Sequence, residues 1–327
     1  FLVGLDSDES LLELARLAET AGAQVIGTML QRKTRPDTAT YIGSGKADEL
    51  SLACQTREAD VVIFDDELSG VQTRNLEEIL HGAKVIDRTT LILDIFAQRA
   101  QSREGRLQVE LAQMAYQLPR LLGHGVAMSR LGGGIGTRGP GEKKLETDRR
   151  IIRDRISRLS KDLEEIKNHR EVARQNRSRT AVPVAAIVGY TNAGKSTLLN
   201  YMTDAGILSE DKLFATLDPT TRAMNLPNGE KILLTDTVGF IRKLPHNLIE
   251  AFKSTLEEAK YADIIVHVVD ASSPDRDIQM DVVYKTLKEL EVGDKPVVTL
   301  FNKCDKFENG DTEAPVLRDF KADETAY

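Results

Sequence analysis

The chain has 327 residues, enough for two or more domains that each bury a core. Its formal net charge of -7 at pH 7 argues against nucleic-acid binding over the whole surface and leaves room for a local basic patch. Two cysteines, Cys54 and Cys304, exclude a disulfide framework or a cysteine-rich metal cluster. The sequence shows no signal peptide and no apolar run near about 18 residues. We therefore expect a cytoplasmic monomer with no membrane partner.

Residues 1–102 predict a small parallel α/β domain. Short apolar runs, read as strands, alternate with amphipathic stretches that begin with capping residues, and the first such helix ends near Gly22. The strand DVVIF is followed by Asp65, Asp66 and Glu67. Carboxylates at that end of a parallel sheet can hold a metal or a second nucleotide, but they more often cap the next helix, which is the role we expect.

Residues 103–179 predict two helices joined by a glycine-rich loop, residues 123–141. Leucine, isoleucine and methionine recur at spacings of three and four residues on both sides of that loop. An antiparallel hairpin would let each helix cover the apolar stripe of the other, with the loop at an exposed tip. The alternative is that both helices pack on the flanking domains.

The loop and the start of the second helix concentrate glycines and basic residues in an acidic chain. Backbone N–H groups of glycines, together with Arg and Lys, suit the phosphates and irregular shape of RNA better than its base sequence. A solvated helix face with intrahelical ion pairs is the alternative. The residues that we expect to contact RNA are Arg130, Gly132, Gly133, Gly134, Arg138, Lys143 and Lys144.

Residues 180–327 predict a second α/β domain, with a phosphate-binding P-loop. The stretch 189–196 has the spacing G-x-x-x-x-G-K-S and lies between a predicted strand and a predicted helix. Lys195 would neutralise the β- and γ-phosphates, and Ser196 would coordinate Mg²⁺. The stretch YIGSGK, 41–46, lacks the leading glycine and the hydroxyl after lysine, so we expect a turn there. The expected nucleotide contacts in the P-loop are Gly189, Tyr190, Thr191, Asn192, Ala193, Gly194, Lys195 and Ser196.

The stretch NKCD predicts guanine as the base. It follows the apolar strand PVVTLF, and Asp305 can accept two hydrogen bonds that guanine donates and adenine does not. Asn302 would tie the base to the P-loop, and the stem of Lys303 would lie over the ring. We therefore expect GTP and GDP as ligands.

Two further segments are predicted to sense the γ-phosphate. Asp236 would hold Mg²⁺ through water, and the N–H of Gly239 would meet the γ-phosphate. Among Thr216, Thr220 and Thr221 we favour Thr216 as the remaining Mg²⁺ ligand. With Lys195 and Gly239, it completes the expected catalytic set. The other expected nucleotide contacts are Phe214, Ala215, Leu217, Asp218, Thr237 and Val238.

The residue after Gly239 departs from the pattern of many GTPases. A glutamine there orients the attacking water, whereas this chain carries Phe240, whose ring cannot do so. We therefore expect hydrolysis that is slow alone and stimulated by a partner. A G domain continues with a last strand and helix, and we expect this one to be truncated before them, with TAY as the start of that strand.

The stretches GYTNAGKST, FATLDPTTR, DTVGFIRKLPH and NKCD, preceded by the charged and glycine-rich segment 89–150, resemble the HflX group of translation-factor-class GTPases. The resemblance covers nearly the whole chain. It implies an N-terminal α/β domain with a helical hairpin and then a Rossmann-like G domain.

The resemblance also implies a function. It implies binding to the RNA and proteins of the large ribosomal subunit and GTP-linked dissociation of stalled or idle ribosomes, with the hairpin loop reaching toward the peptidyl-transferase region. A regulated GTPase that acts on a protein partner through the hairpin is the alternative. An ATP-driven RNA remodelling enzyme would need a second nucleotide site, and the first domain has no P-loop to provide one.

Overall fold

The computed structural model describes residues 1–120, 140–177, 182–203, 212–245, 248, 258–307 and 317–327. The chain forms two compact units, one of residues 1–98 with 107–162 and the other of residues 99–106 with 163–327. Each unit contains a sheet of mainly parallel strands with helices, which confirms the expected α/β class. The predicted segment 103–179 contributes to both units, so the three-domain division stays a prediction.

The first unit is built on a parallel four-stranded sheet in the order β2-β1-β3-β4. The strands fall in the predicted apolar runs, and buried residues such as Val3, Leu50 and Phe64 form the core. The strands are β1 (Leu2–Gly4), β2 (Thr28–Leu30), β3 (Val61–Phe64) and β4 (Lys84–Asp87).

Local capping explains where the helices of this unit begin. The hydroxyl of Ser7 accepts the N–H of Ser10 at the start of the first helix, and Ser69 with Gln72 forms a capping box at the third. The second helix begins inside YIGSGK, so the turn that we expected there is the first turn of a helix. The helices are α1 (Asp8–Thr20), α2 (Ser44–Thr56), α3 (Gly70–Ile79) and α4 (Arg88–Arg99).

Two long helices occupy the predicted hairpin segment: α5 (Arg103–Arg120) and α6 (Pro140–Arg177). Ion pairs join Arg155 to Glu110 and Arg170 to Glu104, so partners run in opposite chain order, as an antiparallel arrangement requires. Among the described helices, none is long and apolar enough to cross a membrane.

The predicted tip of the hairpin lies largely outside the described residues. Lys143 and Lys144 belong to the first turns of α6, and their side chains are outside the described part of the chain. The other predicted RNA contacts are outside it altogether: Arg130, Gly132, Gly133, Gly134 and Arg138.

The second unit contains a six-stranded sheet in the order β10-β9-β8-β5-β7-β6. All neighbours pair in parallel except β6 and β7, whose antiparallel pairing our expectation of a parallel sheet missed. The predicted strand at TAY is confirmed, because β10 pairs in parallel with β9. The strands are β5 (Val184–Gly189), β6 (Thr220–Asn225), β7 (Lys231–Asp236), β8 (Ile264–Asp270), β9 (Val297–Asn302) and β10 (Glu324–Ala326).

The order of this sheet brings the predicted motifs to one edge. The P-loop joins β5 to α7 (Lys195–Thr203), Asp236 ends β7, and Asn302 ends β9 before a 3-10 turn, Cys304–Phe307. A further helix, α8 (Arg276–Glu289), precedes β9. Since β5, β7 and β9 are parallel members of one sheet, these ends lie together, where open α/β sheets bind ligands.

Candidate nucleotide-binding site

The P-loop adopts a conformation that only glycine accommodates at two positions. Gly189 and Gly194 have φ values of +154° and +100°. A Cβ on Gly189 would collide with the carbonyl oxygen of Val268, and one on Gly194 with the side-chain amide of Asn302. Close approach between the P-loop and strands β8 and β9, which lie on the same side of β5, therefore sets the glycine spacing.

Lys195 is buried at the start of α7. Its Nζ donates to the carbonyl oxygen of Tyr190 at 2.9 Å. Desolvation lowers the pKa of Lys195 to about 8, while the charge of Asp236 acts in the opposite direction. A Cβ on Gly239 would lie 2.9 Å from the same Nζ, so the Asp-x-x-Gly segment packs directly against the lysine. Anionic phosphates beside this amine would favour its charged form.

The three predicted Mg²⁺ ligands converge. The Ser196 hydroxyl donates to Oδ2 of Asp236 at 2.6 Å and lies 2.7 Å from Oγ1 of Thr216. Asp236 is fully buried, and its Oδ1 has no hydrogen-bond partner among the described residues. Desolvation raises the pKa of that carboxyl, against the lowering effect of Lys195. Two hydroxyls and a partly unsatisfied buried carboxylate are a donor set that fits a hard cation such as Mg²⁺.

The structure also distinguishes the three threonine candidates. Thr216 lies at the P-loop, whereas Thr220 and Thr221 belong to β6. Thr221 forms its hydroxyl contact with Thr235, at 2.9 Å, on the neighbouring strand. Of the three, Thr216 is therefore the one that lies beside the predicted Mg²⁺ ligand Ser196.

A cleft beside the P-loop contains half of the predicted nucleotide contacts and two residues that the sequence analysis missed. Thr197 follows the P-loop serine, and Lys212 belongs to no motif, so no sequence signal points to it. Leu217 is buried, and Asp218 instead contacts the start of α5. The residues that line the cleft are Thr191, Asn192, Gly194, Lys195, Ser196, Thr197, Lys212, Phe214, Ala215, Thr216, Thr237 and Gly239.

The predicted guanine-reading segment is tied to the P-loop. The side-chain amide of Asn302 donates to the carbonyl of Ala193 at 2.9 Å. Nζ of Lys303 donates to the carbonyl of Asn192 at 2.8 Å and pairs with Asp270 at 2.8 Å. Asp305 lies in the following 3-10 turn with an exposed side chain, free to meet the edge of a base.

Phe240 does not line the cleft. It is 1 % exposed, and its backbone N–H donates to Gly189 at 3.1 Å while its carbonyl accepts from Thr191 at 2.7 Å. A β-bridge to Tyr190 results. The side chain is therefore buried beside the P-loop rather than exposed in the cleft.

The acidic cluster of the first unit is hydrogen-bonded within that unit. Asp65 accepts hydrogen bonds from Arg88 at 2.9 Å and from Ser10 at 2.5 Å, and Asp66 accepts one from the Tyr41 hydroxyl. The helix-capping role that we expected is wrong, because Ser69 caps α3. The described residues contain no group of His, Cys, Asp and Glu side chains arranged to hold a metal ion.

A phosphate-binding loop joined to a guanine-reading segment on a mainly parallel sheet is the arrangement of P-loop GTPases. Three family models match the chain in succession. Residues 8–97 match the model described as GTP-binding GTPase N-terminal, residues 99–177 the GTP-binding GTPase Middle Region, and residues 184–303 the 50S ribosome-binding GTPase.

Whole-chain relatives make the assignment more specific. A GTPase HflX of Lacrimispora saccharolytica is 60% identical over 97% of this chain and 74% of its own length, and one of Escherichia coli is 44% identical over 95% and 72%. A GTP-binding protein from Sulfolobus solfataricus in complex with GDP is 29% identical with a TM-score of 0.50, covering 95% of this chain and 84% of that one. The chain belongs to the HflX family of GTPases, as the motifs predicted; it binds guanine nucleotides and hydrolyses GTP.

Proposed function

We propose that this GTPase binds the large ribosomal subunit and uses its GTP cycle to dissociate stalled or idle ribosomes. The observation that carries the proposal is the match of residues 184–303 to a family described as a 50S ribosome-binding GTPase. The basic, glycine-rich stretch between α5 and α6 supports it, because such a stretch suits RNA phosphates in an otherwise acidic chain.

Each residue of the site has a role in this proposal. The P-loop N–H groups and Lys195 bind the β- and γ-phosphates, and the N–H of Gly239 meets the γ-phosphate. Ser196 and Thr216 directly, and Asp236 through water, would hold Mg²⁺, which supplies positive charge against the phosphate oxygens. Asp305 selects guanine. Since Phe240 is buried, we expect that a partner completes the positioning of the attacking water and that hydrolysis alone is slow.

The test is GTP turnover by the protein with and without purified large ribosomal subunits, at two salt concentrations. We expect strong stimulation that fades with salt, because contacts to several phosphates make binding steeply salt-dependent. Absence of stimulation with guanine-nucleotide binding intact would reject the ribosome as the partner. It would leave a GTPase that acts on a protein through the same helices.

A double variant tests whether the glycine-rich loop contacts the ribosomal subunit. Replacing Arg130 and Arg138 by alanine should weaken subunit binding and flatten its salt dependence while GTP affinity is unchanged. The matched control replaces Arg153 and Arg158, two arginines with exposed side chains on α6, and removes the same charge. Equal losses in both double variants would contradict a specific contact at the loop and indicate diffuse electrostatic attraction.

A further inference from the structure

The carboxylate of Asp218 binds the two residues that lead into α5, and Ser102 connects it to the first turn of that helix. Its Oδ2 accepts hydrogen bonds from the backbone N–H groups of Gln101 and Ser102, each at 2.8 Å, and its Oδ1 accepts one from the Ser102 hydroxyl. That hydroxyl in turn accepts the N–H of Gly105 at 2.9 Å, as a helix N-cap does. A negative charge at this end of a helix is also favoured by the helix dipole.

The side chains of Asp218 and Ser102 pack closely against Gly105 of α5. Gly105 is buried, and a Cβ on it would lie 2.5 Å from Oδ1 of Asp218 and 3.2 Å from Oγ of Ser102. A methyl group at this position would therefore displace the carboxylate. Gly105 lies within α5 and does not have a positive φ, so its backbone conformation does not require glycine. The close approach of Asp218 does require it.

Asp218 follows Thr216 by two residues, and Leu217 between them is buried. In the same conformation Thr216 lies 2.7 Å from the Ser196 hydroxyl and Asp218 is bound to α5. Two residues span about 7 Å at most, so a withdrawal of Thr216 from the P-loop by several ångströms strains or breaks the contact to α5.

The same turn of α5 has a second anchor. Oε1 of Glu104 accepts a hydrogen bond from Arg170 on α6 at 2.6 Å, and the other arm of that guanidinium pairs with Glu258. The first turn of α5 is therefore bonded on one side to the Thr216 segment and on the other to α6. A rearrangement at Thr216 would therefore reach the N-terminal end of α5, which is also bonded to α6 through Glu104 and Arg170.

We infer that Asp218 is a positioning residue that couples Thr216 at the nucleotide to the first turn of α5. The Asp218 contact forms when Thr216 is held by Mg²⁺ and the γ-phosphate, and it opens when that phosphate leaves. Linkage makes the effect reciprocal, so the contact strengthens binding of GTP relative to GDP. The inference rests on the proposed role of Thr216 and is independent of the ribosomal partner.

The experiment measures the dissociation constants of GDP and of a non-hydrolysable GTP analogue, with Mg²⁺, for the full chain and three variants. Asp218→Asn, Ser102→Ala and Gly105→Ala should each reduce the preference for the analogue over GDP by about five- to tenfold, the effect of losing one or two such hydrogen bonds. GDP affinity should be unchanged in Ser102→Ala and Gly105→Ala. Hydrogen exchange of the amides of residues 101–105 should slow with the analogue in the parent protein and not in the variants.

Two control variants distinguish an error in the role of Thr216 from an error in the coupling through Asp218. Gly45→Ala changes a glycine in the first turn of α2 where a Cβ meets nothing within 4 Å, and it should leave the preference intact. Thr216→Ala should abolish the preference, and if it does not, the role of Thr216 is wrong. If Thr216→Ala abolishes the preference but the three variants keep it, or weaken both nucleotides equally, the coupling through Asp218 is refuted.

Discussion

Replacing Phe240 by glutamine tests whether the side chain after Gly239 acts on the attacking water in this protein. Many GTPases carry a glutamine there for that purpose. Here the residue is 1 % exposed, and its backbone is bonded on both sides to the P-loop, at Gly189 and Thr191. We therefore expect the new amide to be buried under the P-loop rather than delivered to the nucleotide, so hydrolysis should not accelerate.

The cost of this substitution follows from the burial. A fully buried phenylalanine side chain contributes about 1.5–3 kcal/mol through removal of its surface from water. An amide left without partners in the same place costs about 1–3 kcal/mol more. The free energy of unfolding should therefore fall by about 2.5–6 kcal/mol in Phe240→Gln, a large part of a typical domain's stability.

Urea unfolding followed by circular dichroism measures the stability, since the chain has no tryptophan to report by fluorescence. Single-turnover GTP hydrolysis without any partner, at low temperature where the variant stays folded, measures the rate. Phe240→Leu is the control, because it keeps an apolar side chain, and it should lose about 1 kcal/mol with the rate unchanged. A glutamine variant that hydrolyses GTP tenfold faster with full stability would refute the buried position.

Two further predictions concern the P-loop and Asp319, which is hydrogen-bonded to β9 of the same sheet. Gly194→Ala should weaken GDP and GTP binding alike by about 10- to 100-fold in equilibrium titrations, because of backbone strain and displacement of the Asn302 amide. Gly229→Ala introduces comparable strain at φ +86° with nothing within 4 Å, and a similar affinity loss there would contradict the mechanism. Asp319 is buried, which opposes ionisation, yet hydrogen bonds that include those from Tyr284 at 2.5 Å and Thr299 at 2.7 Å hold its pKa below the usual value. A carboxyl whose pKa is lowered in the folded state stabilises the fold at pH values above its unfolded-state pKa, near about 4. Asp319→Asn should therefore lower the free energy of unfolding by about 1–3 kcal/mol at pH 7. This difference between variant and parent protein should become smaller as the pH falls below about 4. A difference in unfolding free energy that stays constant with pH would contradict the carboxylate's role.

Strands with a strong apolar run could be predicted from the sequence, and a strand without one could not. Buried strands such as β5 and β8 are nearly continuous runs of Val, Ile and Ala or His. Strand β6, with mostly half-buried or exposed side chains at a sheet edge, has no such run and was missed. Helix α4 was missed for the opposite reason, because it is buried along most of its length and so lacks an amphipathic stripe.

The candidate site also contains contacts that the sequence could predict and contacts that it could not. The P-loop is a contiguous motif whose spacing reflects close backbone contacts, so its residues could be named from the sequence. The contact of Asn302 with Ala193 and that of Asp218 with Ser102 join segments more than a hundred residues apart. The first is part of a known motif pair and could be anticipated. The second belongs to no motif, and the sequence analysis therefore assigned Asp218 to the nucleotide.

The energy available from the Asp218 contact sets what it can do. Hydrogen bonds to a half-buried carboxylate contribute about 1–3 kcal/mol in total, whereas moving an equilibrium from 1:99 to 99:1 requires about 5.5 kcal/mol. The contact can therefore bias the first turn of α5 toward one arrangement but cannot switch it alone. The γ-phosphate must supply part of the difference through Thr216. A partner that binds α5 and α6 would supply the rest, and by reciprocity it would strengthen the binding of GTP that holds Thr216 at the nucleotide.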